Sequence, residues 1–287
     1  MQDKNKEKYL TITVDVEEWF HSNWFDVDHI IYNYHDGVFP KSDVVSSINN
    51  IISMFDNFGI RATFFVLGGT AERYPSIVDS IKDSGHEIAS HGYYHDWHGA
   101  DTEIFRTHLH RFKKNVFSHP KGFRFPNYIF ISNALNVLSE EGFLYDSSMV
   151  PSFNIPGWYG DPTEPLKPHV YSLEQNHGIL EFPISVSPFL RFPGAGGWFL
   201  RNTSFMWTYY VIASQLMKNG YANIYFHNWE ISSNNPSHNG IPFHVFRNTG
   251  VAMMKRIIRL ISLCKKIDNV KIIPFEDLLD HEINETC

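Results

Sequence analysis

His91 and His95 stand four residues apart in Ser90-His91-Gly92-Tyr93-Tyr94-His95, directly after Gly85-His86-Glu87-Ile88-Ala89. At that spacing two imidazoles lie on one face of a helix or helical turn, and both rings can reach one divalent cation. Near the N-terminus, Thr13-Val14-Asp15-Val16-Glu17-Glu18-Trp19 offers a third ligand, completing a facial set that leaves a position for water. Asp15 and Glu17 are separated by one residue at a strand end, so their side chains point the same way. One carboxylate can hold a metal while the other takes a proton from the bound water. Glu18 competes for the ligand role because strand ends twist. These residue types together point to metal-assisted hydrolysis.

Two further segments end apolar strands in polar chemistry. Gly122-Phe123-Arg124-Phe125-Pro126-Asn127 places an arginine where it can pair with Asp15 and hold it ionised as a base. Ile224-Tyr225-Phe226-His227-Asn228-Trp229-Glu230 ends in a histidine that, protonated and opposite the base, donates to a leaving amine. Each has a plainer reading, a barrel-mouth salt bridge and a core histidine. His98, His108 and His110 are assigned to the surface, while His21, His169, His177, His238 and His244 are left unassigned. There is no GxSxG, P-loop or dinucleotide fingerprint.

The elements that must position these groups alternate. Tyr9–Val16, Arg61–Leu67, His86–Ala89, Gly122–Phe125, Phe143–Tyr145, Leu180–Val186, Ala222–Phe226 and Val270–Pro274 read as short buried strands. Helical spacing marks residues 43–58, 75–84, 101–117, 132–141, 203–219 and 248–267, with Gly59 and Gly85 as stops and Gly68-Gly69 as a turn. Such alternation means a parallel sheet covered by helices and fits a closed (β/α) barrel, whose chemistry sits at the C-terminal strand ends. Asp15, His91, Arg124 and His227 fall there on four different strands. Residues 147–178, with prolines at 151, 156, 162, 165 and 168, break the rhythm as an irregular insertion near the site. One domain over residues 1–287 is the expectation.

Hydrophobic content of 43% and aromatic content of 16% suffice for a sizeable core, and a net charge of -7 argues against a nucleic-acid surface. Cys264 and Cys287 give no disulfide framework. Residues 1–8 are polar with no apolar run behind them, and no stretch is long and apolar enough for a transmembrane segment, so a cytoplasmic protein is expected. The cations of residues 248–267 read as a solvated face, with membrane-surface contact as the minor reading.

The segments Ala62-Thr63-Phe64-Phe65-Val66-Leu67-Gly68, Glu72-Arg73-Tyr74-Pro75 and Gly85-His86-Glu87-Ile88-Ala89-Ser90-His91 resemble, almost residue for residue, the NodB-type polysaccharide deacetylases, carbohydrate esterase family 4. The DVEEWF start, the GFRFPNY, GAGGWFLR and FHNWE segments resemble a branch associated with bacterial exopolysaccharide and surface-glycan biosynthesis. The resemblance implies a distorted (β/α)7 barrel and a divalent metal, usually Zn2+. His91 and His95 would be its ligands with Glu17 as the third, Asp15 the general base, Arg124 its positioning partner and His227 the general acid. The family's aspartate that tunes the acid has no clean match here; Asp146 is the candidate. The implied activity is removal of an acetyl group from an N-acetylated amino sugar in a bacterial surface polysaccharide or its precursor, with Trp19, Trp24, Trp158 and Trp198 available to stack on sugar rings. The alternatives are a catalytically silent carbohydrate-binding protein on the same barrel and an amidase of a small non-sugar amide.

Overall fold

The computed structural model describes residues 6–22, 24–95, 101–129, 131–156, 158–173 and 178–286. In chain order the elements are β1 (Lys8–Val16), α1 (Val27–Tyr34), α2 (Val44–Phe58), β2 (Thr63–Val66), α3 (Gly68–Arg73), α4 (Ser76–Asp83) and β3 (Glu87–Ser90). They continue with α5 (Thr102–Asn115), β4 (Gly122–Phe123), α6 (Ser132–Glu140), β5 (Tyr145–Asp146), β6 (His169–Tyr171), β7 (Ile179–Glu181), α7 (Gly197–Asn202) and α8 (Phe205–Asn219). The last are β8 (Tyr221–His227), α9 (Phe243–Phe246), α10 (Val251–Cys264), β9 (Val270–Ile272) and α11 (Phe275–Thr286).

All strands join one sheet in the order β6-β7-β5-β4-β3-β2-β1-β8, with β9 beside the start of β1. Among the described residues every strand pairing is parallel except β6 on β7. The sheet curls as the expected distorted barrel does. Between β7 and β8 the chain bridges the gap, the Ser185 N–H donating to Asn223 O, the Asn223 N–H to Ser185 Oγ and the Tyr225 N–H to Ala195 O.

Alternation along β1 sorts its side chains. Leu10, Ile12, Val14 and Val16 join the core under the helices, while Thr11, Thr13 and Asp15 are buried on the other face, toward the barrel interior. In β8, Ala222, Ile224 and Phe226 face the helices, and Asn223, Tyr225 and His227 follow the opposite parity. The mouth of the barrel is therefore built from residues that a hydropathy reading alone files as strand filler.

The base of the barrel is stopped by an element the sequence reading lacked. Phe275, Leu278 and Leu279 of α11 pack on Phe65, Tyr145, Phe182 and Tyr221. The helices α1 and α9 were likewise not anticipated, being only eight and four residues long. Two other expectations are corrected. Gly68-Gly69 is not a free turn but the first turn of α3, whose N–H groups donate to Gly92 O and Tyr93 O; a Cβ on Gly68 would lie 2.5 Å from the Tyr93 ring. The strand expected over Leu180–Val186 ends at Glu181, because Pro183 has no N–H for a ladder.

Candidate metal centre and active site

Glu17, His91 and His95 each bring a ligand atom to one spot, all within 4.8 Å of one another. The histidine pair is not on a helical turn, as the spacing suggested. β3 delivers His91 at its end, and Gly92 at φ +82° turns the chain so that His95 swings back to its partner. The His91 ring is fixed by its Nδ1, 2.8 Å from Arg124 O. That contact puts the proton on Nδ1 and leaves the Nε2 lone pair for the site. Burial holds His91 neutral, down at about 4, against the pull of Asp15 and Glu17. Among the described residues Glu17 Oε2 is buried with no partner in hydrogen-bond geometry; its nearest nitrogens are His95 Nε2 at 2.9 Å and His91 Nε2 at 3.8 Å. An orphaned carboxylate oxygen facing two imidazole nitrogens fits a divalent cation. Burial alone would raise the Glu17 carboxyl, but the imidazoles of His95, His227 and His21 around it hold it far below the carboxylate range. The Asn228 side chain and the Trp229 indole N–H position it from behind, the first at the backbone N–H (2.9 Å) and the second at Oε1 (3.3 Å).

Asp15 lies beside this cluster at zero exposure. The Arg124 guanidinium donates to Oδ1 at 2.8 Å and Tyr128 Oη–H to Oδ2 at 2.5 Å. Arg124 is itself fully buried and spread over Thr13 Oγ1, Ser147 O and Ser147 Oγ, with its plane 4.0 Å above the Phe65 ring. Burial raises the Asp15 carboxyl; Arg124, His91, His227 and the Tyr128 hydrogen bond outweigh it and keep the group ionised below its usual range. Sequence reasoning found Arg124 but missed Tyr128. The signal was present in Arg124-Phe125-Pro126-Asn127-Tyr128, where Asn127 and Tyr128 both take left-handed backbone angles to bring the phenol inward.

His227, at the end of β8, faces Glu17 Oε1 at 3.7 Å and is backed by Glu230. Glu230 Oε2 accepts the His227 N–H at 2.9 Å and lies 3.3 Å from Nδ1, while Oε1 takes Arg201 Nε at 2.6 Å. Burial lowers the imidazole, yet Glu17 and Glu230 overcome it and raise His227 to about 9; burial raises Glu230, yet Arg201 and His227 bring it down to about 2. Glu230 is thus the partner of His227, and Asp146 is not. The Asp146 side chain is turned to Ser148 and to Glu181, its neighbour across β5 and β7. The carboxylate fits so closely over α7 that a Cβ on Gly197 would fall 1.8 Å from Glu230 Oε2. The GAGGW segment therefore serves the dyad.

Other expected roles sort by geometry. Glu18 turns away to Arg73 (3.0 Å) and Tyr74 Oη (3.0 Å), which removes it as a ligand. Trp19 is buried in a separate apolar cluster and presents no face to a ligand. Trp24 and Trp158 line the cavity at the Glu17–His91–His95 cluster, meeting edge to face at 5.0 Å, and Trp198 stacks on Trp24 at 6.0 Å. His21 lies in the same cavity, parallel to His95 at 5.2 Å and held neutral by burial at about 3. Next to this cavity, and sharing Tyr128 and Trp158 with it, runs a groove of about 480 Å3 walled by the 147–178 insertion. His110 pairs with Glu141 at the surface; His98, His177 and Cys287 lie outside the described residues.

Residues 26–145 match the family described as Polysaccharide deacetylase, and residues 147–273 match one described as Domain of unknown function (DUF3473). Over 124 residues, 41% of this chain, the sequence is 32% identical to the peptidoglycan deacetylase-like protein FGM2 of Gibberella zeae. The alignments span 32% to 37% of the length of the curated relatives. Among solved structures, one from Mycobacterium smegmatis assigned as a polysaccharide deacetylase superposes with a TM-score of 0.68 at 19% identity, covering 98% of this chain and 93% of that one. A Puue allantoinase superposes with a TM-score of 0.62 at 17% identity, over 95% and 89% of the two chains. These two structures establish the shared fold.

Proposed function

We propose that this chain, a member of the polysaccharide deacetylase family through its residues 26–145, hydrolyses the N-acetyl group of an amino sugar in a bacterial surface polysaccharide or its precursor. The observation that carries the reading is one cavity lined by Glu17, His91 and His95, by Tyr128 of the Asp15–Arg124–Tyr128 unit and by His227 of the His227–Glu230–Arg201 unit.

A divalent cation, zinc by the donor set of two imidazoles and one carboxylate, would be held by Glu17, His91 and His95 and supply Lewis acidity toward the amide carbonyl and the attacking water. Asp15, ionised by its contact with Arg124, accepts the proton of that water. Tyr128 and Arg124 each occupy one lone pair of Asp15, so the carboxylate cannot rotate away. His227, protonated at neutral pH and oriented by Glu230, gives its proton to the departing amine. Arg124 on Asp15 favours the ionised base, and Glu230 behind His227 favours the charged acid. The small cavity at the cluster takes the acyl group, and the groove along Trp158 and Tyr159 takes the sugar. Glu230, in place behind His227, weighs against the catalytically silent alternative.

Acetate release from a panel of N-acetylhexosamine substrates, with and without added zinc, tests the reading. Metal-dependent release that disappears in Asp15→Asn is the expected result. Wild-type protein that binds metal stoichiometrically and releases no acetate from any of them would overturn it.

A further inference from the structure

Charge is divided very unevenly along the chain. Residues 182–267 hold nine cationic side chains and a single acid, Glu230, which is buried; their net charge is +8 within a protein of net charge -7. Seven of the nine cations lie on the turn at 186–193, on α8, and on α10 with the two residues after it; Arg201 is buried against Glu230 and Arg247 follows α9. Gln215 Nε2 donates to Val186 O and Trp207 Nε1 to Pro193 O, tying the turn along α8. Arg259 of α10 lies 4.3 Å over Phe205 at the start of α8.

This neighbourhood also exposes large apolar side chains. Phe189 and Leu190, at the tip of the turn, are 69% and 65% exposed, with Phe192 beside them. Met206, Tyr210 and Met217 continue the exposed surface along α8, and Val251 and Ile258 along α10. The turn is a built feature: Ser187 and Arg191 close it by backbone hydrogen bonds, and Lys218 bonds Pro188 O with its ammonium 4.6 Å over the Phe189 ring. Rigid exposed phenylalanine and leucine gain nothing in water, where an apolar patch of this kind marks a contact surface.

We infer that this face docks on the surface of an anionic lipid bilayer, with Phe189 and Leu190 entering the headgroup region and Lys218, Lys255, Arg259 and Lys266 meeting lipid phosphates. Apolar anchors interleaved with cations, with no acid on the turn, α8 or α10 themselves and Asp268 just beyond Lys266, are what such a surface selects. A symmetric contact with a second copy is disfavoured by the same composition, since it would set cation against cation. The patch also adjoins the groove: Phe192 packs on Phe153 at 4.8 Å, and the next residue, Asn154, lines the groove. Docking would thus bring the groove to a lipid-anchored glycan; that last step rests on the proposed deacetylase activity, whereas the docking itself does not.

Co-sedimentation of the full chain with sucrose-loaded vesicles tests the docking without any turnover. Binding to equimolar phosphatidylglycerol and phosphatidylcholine, weak binding to phosphatidylcholine alone, and release at high salt are expected. Phe189→Ser/Leu190→Ser and, separately, Lys255→Glu/Lys266→Glu should each lower the partition coefficient about tenfold or more, with melting temperature and zinc content unchanged. Protein that stays in the supernatant with both lipid compositions would overturn the inference. So would vesicle binding that neither variant weakens, or a wild-type dimer, absent from vesicles, that both variants split into monomers.

Discussion

Glu230→Gln exchanges one oxygen for an amide nitrogen inside a dry cluster, and its consequences follow from three contacts. The Arg201–Glu230 pair, at 2.6 Å, has both side chains about fully buried. Breaking a buried pair by neutralising one partner costs roughly 3–5 kcal/mol, because the remaining charge is left without its counter-ion. Arg201 keeps the Arg247 carbonyl at 2.7 Å, and the glutamine oxygen can still accept from one of its donors, so about 3 kcal/mol is the expected loss. At about 2–4 °C per kcal/mol in a chain of this size, the melting temperature falls by about 6–12 °C. The catalytic consequence is separate. Glu230 raises His227; without its charge the imidazole loses its proton at lower pH, so the alkaline limb of the rate profile moves down. General-acid contributions run to about 10²–10⁴-fold, and a loss near 10²-fold in kcat is expected while zinc stoichiometry holds. Calorimetry at pH 7 and acetate release between pH 6 and 10 on zinc-loaded protein read the two effects. A melting temperature within about 2 °C of wild type, or a kcat and alkaline limb that do not move, would refute the corresponding half of the reasoning.

Glu17→Gln should lower zinc affinity by more than the roughly 10–100-fold that loss of an outer-shell partner brings, as read by calorimetric titration; stoichiometric zinc surviving dialysis in the variant would remove Glu17 from the ligand set. Arg124→Met leaves the Asp15 carboxylate buried with Tyr128 alone, so a loss of about 3–5 kcal/mol is expected from urea denaturation, and a near-neutral result would mean the pair is merely incidental. Tyr128→Phe removes the Asp15 Oδ2 donor, and a kcat drop of about 5–30-fold is expected, the equivalent of 1–2 kcal/mol; unchanged kcat would assign the phenol to packing. Glu87 gives a stability signature remote from the site. Burial raises its carboxyl from 4.5 to about 7, against the lowering hydrogen bonds of Thr63 and Tyr145. The folded state therefore binds the proton more tightly, and the stabilisation is present below about 4.5 and lost as pH rises toward and through about 7. At 1.36 kcal/mol per pKa unit the loss is about 3 kcal/mol; Glu87→Gln should flatten this window, and an unchanged pH dependence of denaturation would contradict it.

The amino-acid sequence by itself determined the parallel sheet and the position of its main strands and helices. Uninterrupted β-branched and aromatic runs such as Tyr9–Val16 bury on both faces, and only a sheet covered by helices allows that. It also determined which residues carry charge or metal-binding atoms at strand ends, so Asp15, Glu17, His91, His95, Arg124 and His227 were nameable from local pattern. The choice between Glu17 and Glu18 was left to the fold, because adjacent carboxylates differ only in where the chain turns; Arg73 and Tyr74, far along the sequence, take Glu18 away. The partner of His227 was three residues off and still unread, since Glu230 acquires its role only when Arg201 of α7 comes to meet it. The geometry of His91 and His95 likewise depended on Gly92, whose left-handed backbone replaces the helical turn that their spacing suggested. α11 went unread although Phe275, Leu278 and Leu279 stand at helical spacing, because what buries that stripe is the open base of a barrel that exists only once the sheet has curled. Local spacing fixes which groups are available, and long-range packing fixes which of them meet, because burial and charge pairing are properties of neighbours that the chain brings from far apart.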